Sequence, residues 1–243
     1  MLTLSDATFQ YAAGRGIAGA TLRVAPGEVV GVVGANGAGK STLLGLVAAA
    51  LVPQAGSVTL ALTDLAGRTR RFRSDSGIGY RRHVGYLTEL APVYGEMRVK
   101  TYLRFRATLK GVGFMRVRGR VREAIRRCGL GGVQKRTIGT LSLGMQRRVA
   151  LAEALLTLPS VLVLDDPFAG IDATLRAEFA EVIREVAAKA HVLISGHDPQ
   201  MLAACCGRFA LIEKGRLTEA ALDAPSALAR LLAASDPARK ERA

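Results

Sequence analysis

The chain has 243 residues, room for one large α/β domain or two small ones around a substantial core. Apolar residues make up 49% of it but aromatics only 5%, with no Trp, so a core must be built from Ala, Val and Leu. The formal charge of +14 is uneven: Arg68 to Arg148 carry 21 Lys and Arg against four acids, a net of +17, which leaves −3 for the rest and points to anionic lipid or a solvated face more than to sequence reading of nucleic acid, since no aromatic interleaving accompanies it.

Residues 2–33 read as a β-rich opening. Thr3–Phe9 and Ala20–Val24 are strand candidates, Pro26-Gly27-Glu28 is a turn, and Val29–Val33 is an apolar strand. That strand runs into Gly34-Ala35-Asn36-Gly37-Ala38-Gly39-Lys40-Ser41-Thr42 and then Leu43-Leu44-Gly45-Leu46-Val47. Strand, glycine loop and helix in this order are the context that a G-x-x-x-x-G-K-[ST] phosphate loop requires. Glycines at 34, 37 and 39 let successive N–H groups point inward at phosphate oxygens, and the helix starting near Lys40 adds its N-terminal dipole. Lys40 supplies charge for the β- and γ-phosphates, and Ser41 a hydroxyl for Mg²⁺.

Further along, Val58–Leu62 reads as a strand and His83–Leu87 as a short buried strand entering a loop. From Val99 to Cys128 the chain is charged and helix-compatible, with a break at Gly111 to Gly113. Ser142 reads as the N-cap of an amphipathic helix over 145–158 that ends at Pro159. Val161–Leu164 is a buried strand, Thr174–Lys189 a helix and His191–Ser195 another buried strand. Phe209–Ile212, a Lys214-Gly215 turn, a short helix near Ser226 to Ala233 and a polar tail at 235–243 complete the chain. Alternating strands and helices imply a parallel sheet covered on both faces, and 90–158, without a convincing strand, implies an inserted helical subdomain.

The strand at Val161–Leu164 stops at Asp165-Asp166, which places two carboxylates at the carboxyl edge where nucleotides bind in open α/β sheets. Asp165 is positioned to hold Mg²⁺, and Asp166 to orient or deprotonate an attacking water. The three cysteines, Cys128, Cys205 and Cys206, have no metal-ligand spacing, and their odd count argues against a disulfide framework. The N-terminus lacks the pattern of a signal peptide. The longest apolar stretch, Leu43 to Val52, is about half of the roughly twenty residues that a membrane span needs, so the chain is not expected to cross a bilayer.

Five motifs in order give the chain a resemblance, over essentially its whole length, to the nucleotide-binding subunit of an ABC transporter: the glycine loop, Leu141-Ser142-Leu143-Gly144-Met145 as a relaxed signature, the aspartate-tipped strand, Pro167-Phe168-Ala169-Gly170-Ile171-Asp172 as its D-loop, and Ile194-Ser195-Gly196-His197-Asp198 as the switch histidine. The resemblance implies an α/β P-loop NTPase core with a parallel sheet, an N-terminal antiparallel β subdomain and an inserted α-helical subdomain, with the ATP-binding domain over 1–234. It implies ATP and Mg²⁺ as cofactors, with Tyr11 stacking on adenine, His197 sensing the γ-phosphate and Asp172 in the D-loop. Two such domains, identical or sister chains, would sandwich ATP head to tail, so that Ser142, Gly144 and Met145 face the nucleotide held by the partner's glycine loop. Separate transmembrane permease subunits would receive the motion through the loop after Leu87, holding the protein at the cytoplasmic face of the membrane beside anionic lipid.

Two positions depart from the pattern. Asp166 stands where the family usually carries Glu, and a base displaced by about 1 Å loses on the order of 10²-fold in rate, so slow hydrolysis is expected. Glu89 stands where a glutamine is common, and its carboxylate can still approach Mg²⁺ or the attacking water. His83 and His191 match no motif. The expected function is the ATPase of a transporter, an exporter by its relaxed signature and Glu89. The alternatives are a soluble ABC ATPase acting on nucleic acid, suggested by the basic middle third, and a non-hydrolysing ATP-dependent regulator, suggested by Asp166.

Overall fold

Apolar residues come in two patterns, spaced through the first strands and continuous in the later ones, and the two patterns build two different sheets. The computed structural model describes residues 1–12, 14–196 and 199–220. The strands are β1 (Leu2–Gln10), β2 (Gly16–Val24), β3 (Val29–Val33), β4 (Ala55–Thr63), β5 (Thr69–Arg73), β6 (Val84–Leu87), β7 (Val161–Leu164), β8 (His191–Ser195), β9 (Arg208–Glu213) and β10 (Arg216–Ala220). The helices are α1 (Lys40–Val47), α2 (Ile78–Arg81), α3 (Val99–Leu109), α4 (Phe114–Arg127), α5 (Leu143–Leu155), α6 (Ala173–Ala187) and α7 (Pro199–Cys205).

An antiparallel sheet of order β2-β1-β4-β5 buries one face. In β1 the buried residues are Leu2, Leu4 and Ala7, a spacing that strict alternation forbids. The pairing register shifts between Leu4 and Ala7, and Asp6 has φ 47°, so a bulge at Asp6 returns Ala7 to the core side. The second sheet has order β10-β9-β3-β8-β7-β6, parallel from β9 to β6 with an antiparallel β10 at its edge.

The strands of the parallel sheet are apolar on both sides, and alternate residues serve two cores. Val30 and Val32 of β3, Val161 and Val163 of β7 and Leu193 of β8 pack with α1 and the antiparallel sheet. Val29, Val33, Leu162, Leu164, Val192 and Ile194 point the other way, into the core that α3 to α6 cover. Helix α1 is apolar on all sides because both neighbours bury it, with Leu43, Leu44, Leu46 and Val47 inaccessible to solvent.

Between Leu87 and Val161 the chain forms helices and no strand, apart from one isolated pairing of Arg98 with Thr137. Glu153 of α5 ties this segment together. It is buried, yet it accepts hydrogen bonds from Tyr102 Oη and Arg106 Nη2 of α3 and pairs with Lys110 at 3.3 Å, so its charge is compensated. No helix among the described residues is long and apolar enough to cross a membrane.

The sequence pattern misses β5, β10 and the short helices α2 and α7. β5 reads Thr-Arg-Arg-Phe-Arg, with one apolar residue, because it is an edge strand whose arginines discourage further pairing. Helix α5 starts at Leu143 rather than 145, which puts Gly144 inside its first turn. The expected short helix at 226–233 and the polar tail at 235–243 lie outside the described residues.

Candidate nucleotide site

Because β3, β8, β7 and β6 are parallel neighbours, their carboxyl ends fall along one edge. Gly34 follows β3, Ser195 ends β8, Asp165 follows β7 and Glu89 lies just beyond β6. Ligands of open α/β sheets bind at such an edge. A cleft of about 460 Å³ opens there. Asn36, Gly37, Gly39, Lys40, Ser41 and Thr42 form its floor, and Glu89, Asp165 and Asp166 one wall. Tyr11, with Arg15 and Gly16, lines the far end.

The glycine loop can be built only with glycines at its ends. Gly34 has φ 154°, and a Cβ there would lie 2.3 Å from the carbonyl oxygen of Ile212. Gly39, the residue before α1, has φ 112°, and its Cβ would lie 2.7 Å from Gly16 O. This second contact belongs to a three-way junction: Ala18 N donates to Gly215 O at 2.8 Å, and Gly215 N donates to Ala38 O at 3.1 Å. The β1–β2 hairpin, the glycine loop and the β9–β10 turn therefore meet backbone to backbone. Ala38 is buried in this wall rather than lining the cleft.

Lys40 is 8% exposed, and its ammonium donates to the carbonyls of Gly34 at 2.8 Å and Ala35 at 3.0 Å. Burial pulls its pKa below the usual lysine value, while Asp165, Asp166 and Glu89 push in the opposite direction. Asp165 is buried at the wall, where Ser195 Oγ donates to its Oδ1 at 2.6 Å. The same hydroxyl accepts a hydrogen bond from Asp166 N at 3.0 Å, so one serine orients both aspartates. Asp166 itself has φ 44°, a left-handed turn that carries its side chain away from the strand direction. The cleft brings together three oxygen donors suited to a hard cation: the Ser41 hydroxyl and the carboxylates of Asp165 and Glu89. Such a set fits Mg²⁺, which takes one or two protein carboxylates and completes its shell with phosphate oxygens and water.

Two residues of this wall escape sequence reading. Ser195 reads as the end of a buried strand and a member of the switch-histidine motif, with no role of its own at the aspartates. Arg147 is one of two adjacent arginines on α5, and only its burial distinguishes it: 7% exposed, it donates from Nη1 to Asp166 O and from Nη2 to Glu89 O, both at 3.0 Å.

Ser142, Gly144 and Met145 do not join this cleft. They line a separate depression of about 670 Å³ with Asp172 and Gly170. Ser142 caps α5 by accepting from Met145 N at 3.4 Å, and Asp172 caps α6 by accepting from Leu175 N at 2.9 Å. Both caps thus lie at free helix N-termini on one surface. Tyr11 is half exposed and braced edge-on by Phe9, with ring centroids 5.0 Å apart. His197 lies outside the described residues. His83 packs against Phe72, and burial lowers the pKa of His191; neither lines the cleft or the depression.

The two-layered sheet and its glycine-loop cleft define a P-loop nucleotide-binding domain. A family model described as "ABC transporter" matches residues 17–169, more than half of the chain, and the chain belongs to that family. It is 28% identical over 222 residues to the ABC transporter ATP-binding protein NatA of Bacillus subtilis, covering 89% of this chain and 87% of that protein. It is 32% identical to the Fe(3+) ions import ATP-binding protein FbpC of Streptomyces coelicolor (90% of this chain, 61% of that one) and 31% identical to the daunorubicin resistance ATP-binding protein DrrA3 of Streptomyces coeruleorubidus (89% and 66%). A solved ATP-binding subunit of an ABC transporter superposes with a TM-score of 0.78 at 27% identity over 92% of this chain and 90% of that one. A dimeric ATP-binding cassette bound to ADP and Pi shares the fold at a TM-score of 0.74 and 20% identity, covering 90% of this chain and 98% of that one.

Proposed function

We propose that the chain binds Mg²⁺-ATP in the cleft and hydrolyses it slowly, as a dimer that drives separate membrane permease subunits. The observation that carries this reading is the separation of two half-sites: the glycine loop with its aspartate wall on one surface, and the capped helix at Ser142 with Asp172 on another. Tyr11 would take the adenine ring, and the loop N–H groups with Lys40, Ser41 and Thr42 the phosphates. Asp165, steadied by Ser195, and Ser41 would hold Mg²⁺, whose charge favours phosphoryl transfer. Asp166 would orient the attacking water, with Glu89 on the same wall and His197 as a sensor of the γ-phosphate. Ser142, Gly144 and Met145 would close over the nucleotide of a second copy or of a sister chain. The dimeric neighbour with bound ADP and Pi supports that arrangement by its shared fold.

Leu90, Tyr94, Phe105 and Leu109 are exposed beside the loop that follows β6, an apolar surface suited to a permease. Attachment there would hold the chain at the cytoplasmic face of the membrane. Relatives named for import and for drug resistance both match. The proposal of export therefore rests on this chain's relaxed signature and Glu89.

The test is steady-state ATP turnover of the assembled complex for the parent and for Asp166→Glu. Turnover rises if the short carboxylate limits hydrolysis, by up to the order of 10²-fold for about 1 Å of restored reach. No increase refutes the shortening argument. ATP-driven dimerisation with no turnover in either protein would favour the regulator.

A further inference from the structure

Helices α3 and α4 lie side by side, and their outer faces enclose a groove of about 560 Å³, separate from both nucleotide half-sites. Lys100 and Arg104, one turn apart on α3, form one wall; Arg118, Arg122 and Arg126, at successive turns of α4, form the other. Val121 and Ile125 supply an apolar floor, and no acidic side chain lines the groove. Arg126 pairs with Glu123, whereas Lys100, Arg104, Arg118 and Arg122 enter no ion pair among the described residues. Like charges facing each other across a groove repel, and among the described residues only Glu123, through Arg126, offsets that repulsion.

The same end of α4 has a second unusual property. Phe114 and Met115 are 96% and 94% exposed, and both lie within one turn of Arg118 on its side of the helix. Large apolar side chains standing in solvent next to uncompensated cations suit an interface where phosphate meets hydrocarbon. A nucleic acid backbone would use the cations but leave Phe114 and Met115 without a function.

We propose that the α3–α4 groove and the Phe114–Met115 tip form a contact site for anionic phospholipid. Phosphate headgroups lie between the two rows of cations, and the tip enters the acyl boundary. The site is independent of the nucleotide chemistry, and vesicles contain no permease, so its failure leaves the transporter reading untouched.

The experiment is cosedimentation of the full chain with vesicles of phosphatidylcholine, with and without phosphatidylglycerol, at low and high salt. Binding is expected only to the anionic vesicles and is weakened by salt. Each cation near such a surface contributes about fivefold in partitioning, so Arg104→Gln/Arg118→Gln/Arg122→Gln should lose roughly 100-fold. Arg70→Gln/Arg71→Gln/Arg81→Gln removes the same charge elsewhere and should lose far less. Phe114→Ser/Met115→Ser should weaken binding with no change in charge. Should the triple variant melt early, Arg118→Gln and Arg122→Gln singly should each lose about fivefold. Equal binding to both vesicles, or equal losses in the groove and control triples, overturns the proposal. So does binding of duplex DNA in preference to anionic vesicles with Phe114→Ser/Met115→Ser unchanged.

Discussion

Arg147 is the side chain whose removal tests most directly how the wall of the cleft is held. Its guanidinium spans two turns that are distant in sequence, one bearing Glu89 and the other Asp166, by hydrogen bonds of 3.0 Å to each carbonyl. Hydrogen bonds from a charged donor contribute about 1.5–3 kcal/mol each, so Arg147→Met removes roughly 3–6 kcal/mol of interaction. Against this, the buried Nε of Arg147 has no hydrogen-bond partner among the described residues, and relieving that desolvation returns about 1–3 kcal/mol. The two ranges leave a net destabilisation centred on about 2–3 kcal/mol, within outer bounds of about 0–5 kcal/mol. In a domain of this size that is a fall in Tm of roughly 5–10 °C. Urea unfolding and calorimetry of the variant measure it directly. Turnover should fall further, on the order of 10²-fold, if the two carboxylate-bearing turns drift by about 1 Å. Arg147→Lys keeps the charge but lacks the fork that reaches both carbonyls, and should fall between the two. Stability within about 0.5 kcal/mol of the parent and unchanged turnover would refute the bracing argument. Lost stability with normal turnover per folded molecule would confine Arg147 to the fold.

Gly34→Ala should abolish nucleotide-dependent stabilisation, measured as the Tm shift on adding Mg²⁺-ATP, because its Cβ would strike Ile212 O at 2.3 Å and displace the loop. Ser195→Ala removes the hydroxyl that orients Asp165 and Asp166, and should raise the Mg²⁺ concentration for half-maximal turnover by about 10–100-fold. Glu28 adds a pH dependence. Burial pushes its carboxyl up, but bonds from Arg208 and from Ala25 N–H hold it below its ordinary 4.5. Its contribution is thus present above that value and disappears as pH falls through the lower folded value, so Glu28→Gln should be less stable than the parent at neutral pH and converge with it in acid, as followed by urea midpoints. Finally, burial raises the pKa of all three thiols, with Cys128 pushed up to about 12, so a thiol-specific reagent at pH 8 should react with them only after denaturant is added.

The phosphate loop was legible because its chemistry demands fixed residues in sequence: glycines where the backbone turns, then Lys40 and Ser41 opening a helix. Asp165 was legible because four aliphatics in a row end on it. The bracing roles of Ser195 and Arg147 were not, since their partners lie 19 to 58 residues away and only the tertiary fold brings them together. For the same reason β5 was invisible: an edge strand buries little, so its sequence carries no apolar alternation. The separation of Ser142 from Lys40 is equally a property of topology, because α5 and the glycine loop are reached through different crossovers.

The junction at Gly16, Gly39 and Gly215 works as a calliper. It ties the hairpin that carries Tyr11 to the loop that carries Lys40 by backbone hydrogen bonds and close backbone approach, with the buried Ile17 side chain packed against Gly39. If Tyr11 takes the adenine and the loop the phosphates, as proposed, the reach between them is a built length. On that reading a ligand with the right base and a shorter tail would touch one jaw only, and a residue added between Tyr11 and Arg15 would reset the gauge without altering the loop.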